Sequence, residues 1–111
     1  MITAHVYQHY TMKAKINIDR EAITDFCEKW KIAEFSLFGS VLRDDFTPDS
    51  DVDVLVSFDS SSHWSLFDLV EMRAELKEFF DREVDLIEKE GLRNPFRRHE
   101  ILTTRQIIYA N

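Results

Sequence analysis

The 111-residue sequence is poor in cysteine, in glycine and in long apolar stretches. Cys27 is the single cysteine, so no disulfide can form within the chain, and a lone thiol is typical of a reducing intracellular setting. Because there is no apolar run of about 18 residues and no charged-then-apolar leader, we expect no membrane span, no secretory signal and a cytoplasmic location. Only two glycines are present, so each one marks a backbone position that needs explanation.

The formal net charge of −7 leaves the chain without the basic face that neutralises phosphates. We therefore expect no direct nucleic-acid binding, although a nucleotide substrate stays compatible with the charge if metal ions screen the carboxylates. The charges are unevenly placed along the chain. Five aspartates fall within ten residues, and four arginines lie near the C-terminus: Asp44, Asp45, Asp49, Asp51 and Asp53, and Arg93, Arg97, Arg98 and Arg105.

The length fits one compact domain, and hydrophobic residues make up 44% of the chain, enough for a core. We expect an N-terminal arm at residues 1–14 and one domain at residues 15–111. The patterns predict helices at 19–30 and 65–80, strands at 32–38, 51–58 and 84–87, a turn or short helix at 40–44, and loops at 47–50 and 91–95. The last segment, 96–109, fits either a helix or a strand. This order predicts an α/β (α+β) domain with a small mixed sheet of at least three strands and helices packed on it.

Apolar spacing predicts which faces of the two long helices are buried. The first helix, which Asp19 can cap, has an apolar stripe of Ala22, Ile23, Phe26, Cys27 and Trp30. The second has one apolar face, widened by three further residues: Leu66, Leu69, Val70, Leu76 and Phe80, with Phe67, Met72 and Phe79.

The turn after the first predicted strand is a candidate anion site. Gly39 and Ser40 end this strand and lead into the next element, where free N–H groups at a helix N-terminus can bind phosphate. Ser40 adds a hydroxyl, and Arg43 adds a cation about one turn later. Taken alone the pattern is weak, because most Gly-Ser pairs only form turns.

Three aspartates on predicted strands form a candidate metal site. Asp51 and Asp53 are two residues apart, so in a strand they project from the same face with Cα atoms about 6.5–7 Å apart. Two such carboxylates repel each other, and a divalent cation relieves that repulsion. Asp85, flanked by Val84 and Leu86 on the third strand, can complete a site for Mg²⁺. Paired ions bridged by carboxylates are typical of in-line displacement at phosphorus.

Taken together, these segments indicate a protein family far more specifically than any one of them does alone. The run from Phe38 to Arg43, then Ser50 to Val56, then Val84 to Ile87 after a helix resembles the minimal nucleotidyltransferases of the DNA polymerase beta-like superfamily. The resemblance covers roughly residues 33–109 and implies a nucleotidyltransferase fold. The sequence departs from the family pattern at Leu42 and Asp44, where the family often has Ala and Gly.

By this resemblance, two Mg²⁺ ions, for which Mn²⁺ could substitute, would assist transfer of a nucleotide from ATP. The implied nucleotide-binding residues are Gly39, Ser40 and Arg43. Asp51, Asp53 and Asp85 would be both catalytic residues and metal ligands. Asp85 would also act as the base on the acceptor hydroxyl.

The same resemblance implies a biological setting. Stand-alone proteins of this kind are similar to the antitoxins of HEPN/MNT toxin–antitoxin modules, in which AMP is transferred to a tyrosine of a helical HEPN ribonuclease toxin. Two alternatives stay open: an idle antitoxin that only masks its toxin, and a transferase acting on a small molecule. The second would need an acceptor pocket formed by dimerisation, so a homo-oligomer also stays open.

Overall fold

The computed structural model describes residues 5–6 and 14–111, which form a five-stranded sheet and three α-helices. Two short 3₁₀ helices, Gly39–Leu42 and Lys89–Gly91, each directly follow a strand. The elements in chain order are β1 (His5–Val6), α1 (Arg20–Lys29), β2 (Ile32–Phe38), β3 (Val52–Phe58), α2 (Leu66–Phe80), β4 (Val84–Glu88), α3 (Pro95–Thr104) and β5 (Gln106–Ala110).

The sheet is mixed, with the strand order β1-β5-β2-β3-β4. Among the described strands only β3 and β4 pair in parallel, and α2 is the crossover between them. The other three pairs are antiparallel, and β5 pairs with both β1 and β2. The predicted α+β class and the predicted mixed sheet of at least three strands are confirmed.

Helix α1 packs on one face of the sheet through its predicted apolar stripe. Asp19 Oδ1 accepts a hydrogen bond from Ala22 N at 3.0 Å, which caps the helix as predicted. Ile23, Phe26 and Cys27 are buried, together with Trp30 just after the helix. Burial raises the pKa of the Cys27 thiol far above its usual range, so this cysteine is a core residue and not a nucleophile.

Helix α2 covers the same face, but the prediction of its buried surface was wrong in part. Met72 and Leu76 are buried, and Leu69 and Phe80 are half-buried on the same side. The predicted members Leu66, Phe67, Val70 and Phe79 are exposed. Successive helical residues turn by about 100°, so Phe67 lies nearly opposite the line through Leu69, Met72, Leu76 and Phe80. A stripe drawn through every apolar residue was therefore too wide.

Helix α3 packs on the opposite face of the sheet. Asn94 caps its first turn by accepting from Phe96 N and Arg97 N, and Pro95 occupies its first position. Ile101 packs there in a second, smaller core that includes Phe38 of β2 and Leu55 of β3. The segment at 96–109, left open between helix and strand, contains both elements: α3 and then β5.

The predicted arm at residues 1–14 lies mostly outside the described residues, and the domain boundary stays a prediction. Within the described part, His5 and Val6 pair with Ala110 and Tyr109 of β5. Ala14 N donates to the Gln106 side chain at 3.2 Å. No helix among residues 14–111 is long and apolar enough to cross a membrane.

Candidate active site

Gly39 brings the backbone after β2 directly against Asp53 of β3. Its φ of +75° is a conformation that other residues rarely adopt. A Cβ atom added at this position would collide with Asp53 Oδ2 and would lie 3.2 Å from Asp53 Cγ. Glycine is therefore required for two reasons, the left-handed backbone and the close approach to a carboxylate.

The turn or short helix predicted at 40–44 as the anion site is a short 3₁₀ helix that begins at Gly39. Gly39–Leu42 is a four-residue 3₁₀ helix, too short to provide the aligned dipole of an α-helix. Any phosphate contact would depend on local N–H groups and on the Ser40 hydroxyl. Among residues 14–111 the half-buried Ser40 hydroxyl forms no hydrogen bond, so it is free to donate to a ligand.

Asp53 and Asp85 are brought together by the parallel pairing of β3 and β4. They are register partners, so they share one face of neighbouring strands about 4.8 Å apart. That face is the one covered further along by α3, because the alternate residues Val52, Val54 and Val84 belong to the core under α1 and α2. Asp51 lies just before β3, exposed to solvent. The structure thus places the three predicted carboxylates at one end of the parallel pair.

Electrostatic repulsion is concentrated on Asp53, which is half-buried. Burial raises the pKa of its carboxyl group, and the neighbouring charges of Asp85 and Asp51 raise it further. Arg97 and Arg43 act in the opposite direction but do not cancel the effect. The site therefore holds excess negative charge that a cation would stabilise.

The residues present fit a divalent metal, although they do not form a complete cage. Within the described part of the chain, no group of three or more His, Cys, Asp or Glu side chains is arranged to hold an ion. Mg²⁺ usually takes only one or two carboxylates and completes its shell with water and substrate phosphates. The register pair Asp53 and Asp85, with its unrelieved repulsion, matches that donor set.

Arg43 and Asp44 have partners that were not predicted. Arg43 Nε lies 3.1 Å from Asp45 Oδ1, although the side chain still lines the cavity beside Gly39. Asp44 Oδ1 pairs with Lys15 Nζ at 3.3 Å. The negative charge of Asp44, at a position where the family often has Gly, is thus paired with Lys15. An exposed pair of this kind contributes little to stability.

Arg97 of α3 is a site residue that the sequence analysis did not assign. It lines a cavity of about 200 Å³ and is close enough to Asp53 to lower the pKa of that carboxyl group. Its guanidinium forms no ion pair with any residue in 14–111. The uneven placement of arginines near the C-terminus was the available signal. The cavity is lined by Phe38, Gly39, Arg43, Arg97, Glu100, Ile101 and Thr104.

Sequence comparison identifies the family of this chain. A family described as the nucleotidyltransferase domain matches residues 19–108. A candidate protein adenylyltransferase of Methanocaldococcus jannaschii is 34% identical over 74 residues, which are 67% of this chain and 74% of that protein. The protein adenylyltransferase MntA of Thermococcus cleftensis is 30% identical over 83 residues, 75% of this chain and 79% of that protein.

Solved structures show the same fold. The structure of a candidate minimal nucleotidyltransferase has a TM-score of 0.65 and 30% identity, covering 78% of this chain and 86% of that chain. A toxin–antitoxin complex with AMP-PNP matches with a TM-score of 0.68 at 18% identity, covering 85% of this chain and 75% of that chain. A family match across most of the chain and relatives at 30% identity or more together establish the family of this chain. The chain is a minimal nucleotidyltransferase and belongs to the nucleotidyltransferase domain family.

Proposed function

We propose that this enzyme transfers AMP from ATP to a tyrosine hydroxyl of a separately encoded HEPN-type toxin, and that it acts as the antitoxin. The observation that carries the proposal is the contact of the Gly39 turn with Asp53, beside its register partner Asp85. This geometry places the backbone of the turn after β2 next to the paired carboxylates. The relatives named as protein adenylyltransferases support a protein acceptor.

Nucleotide binding is assigned to the turn after β2 and to two arginines. Gly39 lets the backbone of this turn approach Asp53 closely, and the Ser40 hydroxyl, which has no hydrogen-bond partner among residues 14–111, donates a hydrogen bond to a phosphate oxygen. Arg43 and Arg97 line the adjoining cavity and supply positive charge toward the same oxygens. Two Mg²⁺ ions would be held by Asp51, Asp53 and Asp85 together with the phosphates, and when bound they would neutralise the charge that develops during displacement at phosphorus.

In the proposed reaction, Asp85 acts as the base that takes the proton from the acceptor hydroxyl. A phenol has a pKa near 10, so it is largely protonated at neutral pH and must lose its proton as it attacks. The tyrosine oxygen bonds to the α-phosphorus, the bond to the pyrophosphate oxygen breaks, and the phenolic proton passes to an Asp85 carboxylate oxygen. Asp85 is exposed at the edge strand β4, where an acceptor carried by another protein can reach it.

Neutralisation of a ribonuclease follows from the charge of the product. An adenylylated tyrosine adds bulk and negative charge, which would repel an RNA backbone from the toxin. Among proteins of similar fold, one structure contains a tri-AMPylated Shewanella oneidensis HEPN toxin in complex with its MNT antitoxin, with a TM-score of 0.60 at 18% identity. That likeness, which covers 83% of this chain and 70% of that chain, supports the proposed partner and chemistry.

The test is intact-mass spectrometry of a cognate HEPN-type toxin after its co-expression with this chain. We expect the toxin to gain the mass of AMP with the wild-type enzyme and to gain none with Asp53→Asn. Asp59→Asn, a carboxylate at the other end of β3, is the matched control and should leave the modification unchanged.

The two alternatives give different results. A toxin that is neutralised without any change in mass would establish an idle, masking antitoxin. A mass change that persists with Asp53→Asn would place the reaction at another site. Transfer of labelled AMP to a small molecule, with none to the toxin, would identify a small-molecule transferase.

A further inference from the structure

Arg82 ties the loop before β3 to the start of β4. It lies between α2 and β4, and its Nη1 atom donates to three main-chain carbonyls of one loop. The acceptors are the oxygens of Thr47 at 2.8 Å, Ser50 at 3.0 Å and Pro48 at 3.3 Å. Among residues 14–111 its guanidinium forms no ion pair, so these carbonyls and one aromatic ring are its partners.

The same side chain is held from a second direction. The Arg82 Cζ atom lies 4.2 Å from the centroid of the Phe46 ring, a cation–π distance. The loop is also closed on itself, because Ser50 N donates to Thr47 O at 3.0 Å and Thr47 N donates to Ser50 Oγ at 2.9 Å. Arg82 thus anchors a compact turn, so the position of the 47–50 loop relative to the start of β4 is well defined.

The anchored loop leads directly into the carboxylates. Asp51 follows Ser50, and Val52 N then donates to Glu83 O at 2.9 Å, which begins the parallel pairing. On the other strand, Asp85 stands three residues after Arg82. One guanidinium therefore connects the residue before Asp51 with the strand that carries Asp85.

We propose that Arg82 is a positioning residue that sets the distance between Asp51 and the pair Asp53–Asp85. This inference rests on the proposed function, in which those three carboxylates share metal ions. Of the three, Asp51 lies outside the strand, so the sheet ladder alone does not fix it. A carboxylate that shares an ion must be held within about 0.5 Å, which a free loop does not provide.

Arginine suits this role better than lysine. Its planar guanidinium can face several carbonyls and stack on a ring at the same time, whereas an ammonium is a compact point charge on a flexible stem. Arg82→Lys should therefore keep only part of the anchoring. Arg82→Met keeps an apolar stem against Phe46 and removes every donor.

The experiment compares these two variants with Arg73→Met. Arg73 extends from the middle of α2 to β4, where its Nε atom donates to Val84 O at 2.7 Å, but it forms no hydrogen bond or ion pair with the described 47–50 loop. Mn²⁺ binding is measured by electron paramagnetic resonance without ATP. Hydrogen exchange is followed at the amides of Ser50 and Val52, and kcat and KM for ATP are determined separately.

We expect Arg82→Met to weaken Mn²⁺ binding about 10-fold and to lower kcat by about 10-fold or more, with KM for ATP little changed. The two amides should exchange faster, and Arg82→Lys should be intermediate. If Arg82→Met does not fold, Arg82→Lys is compared with Arg73→Met in the same three measurements and tests the proposal in its place. Variants of Arg82 that match Arg73→Met in all three measurements would overturn the role. A wild-type enzyme that binds no Mn²⁺ would instead count against the proposed function.

Discussion

The two ends of the parallel pair β3 and β4 both carry carboxylates, but they use them differently. At the C-terminal end, Asp59 Oδ1 accepts from Ser61 N at 2.8 Å and from Ser61 Oγ at 2.9 Å, and Glu90 accepts from Ser57 Oγ. At the N-terminal end, the side-chain carboxylates of Asp51, Asp53 and Asp85 accept no hydrogen bond from any residue in 14–111. Carboxylates at the C-terminal end bond within the fold, whereas those at the N-terminal end have their oxygens available, as the proposed metal site requires.

Size and charge separate the two ends as well. The cavity at the C-terminal end is the larger, at about 530 Å³ against about 200 Å³, yet no arginine or lysine of the described chain lines it. Hydrogen bonds from the backbone and then the hydroxyl of Ser61 lower the pKa of Asp59, whereas burial and like charge raise that of Asp53. A cluster of acids is therefore not a nucleotide site by itself. The accompanying cations and the unrelieved repulsion make the difference.

The largest expected effect removes the charge at the N-terminal end. Asp51→Asn combined with Asp53→Asn should abolish Mg²⁺ binding and lower transfer by at least about 10³-fold, because the neutral amides neither repel each other nor attract a cation strongly. Isothermal titration calorimetry measures the binding. Asp59→Asn combined with Glu88→Gln makes the same change at the C-terminal end and should leave binding intact. Equal losses of Mg²⁺ binding in both double variants would show that the two ends of the parallel pair do not differ in this way.

Within β4 the comparison can be narrowed to two residues on one strand. Asp85→Asn should lower kcat by about 10²-fold and leave ATP affinity almost unchanged, since a base acts in the transition state. Glu88→Gln, three residues later, should leave both kcat and ATP affinity unchanged. Single-turnover kinetics separate binding from chemistry. Normal turnover by Asp85→Asn would make Asp85 a structural strand residue.

Two adjacent arginines of α3 sharpen the contrast between a free and a bonded charge. Arg97→Met should weaken ATP binding about 10-fold with little change in Tm, because a charge-assisted hydrogen bond to phosphate is lost. Arg98 Nη1 donates to Lys89 O at 2.8 Å, so Arg98→Met should instead lower Tm and spare binding. Calorimetry and thermal melting on both variants test this. The reverse result would assign the phosphate contact to Arg98.

The smallest effect is a dependence of stability on pH. The pKa of Asp53 is raised in the folded state, so that state binds more protons than the unfolded chain, and stability rises as pH falls through the raised pKa. At neutral pH the charged group lowers stability. Without metal, Asp53→Asn should raise Tm on the order of 1–2 °C near pH 7, because much of the group is solvated. This gain in Tm should shrink as the pH falls toward about 4. A lower Tm for Asp53→Asn at pH 7 would contradict this sign.

The part of the site that lies within strands could be predicted, since residue alternation in a strand is local. Asp53 and Asp85 followed from the period of two, and Gly39 followed from the scarcity of glycine. The convergence of Asp53 and Asp85 depended only on β3 and β4 being neighbours. Asp51 was predicted as the first residue of the strand, but it lies just before β3.

Other features depended on contacts between distant segments and could not be predicted. Arg97 reaches the site because α3 packs on the Asp53 face, and no local period specifies that face. The exposure of Phe67 has the same origin: apolar spacing gives a stripe, but the width covered by the sheet decides which members are buried. Arg82 bonds to carbonyls more than 30 residues away, and carbonyls carry no sequence signal.

The place of β5 within the sheet has a consequence for synthesis on the ribosome. Residues 106–110 lie between β1 and β2, and Phe35 of β2 pairs with Tyr109. Until residue 110 has emerged, β2 keeps an unpaired edge while α1, β3 and β4 are already outside. Long-range pairing of this kind is slow, and unpaired strand edges are prone to aggregate. The half of the molecule that carries the candidate site is therefore made early, and the edge of β2 stays unpaired until β5 joins the sheet.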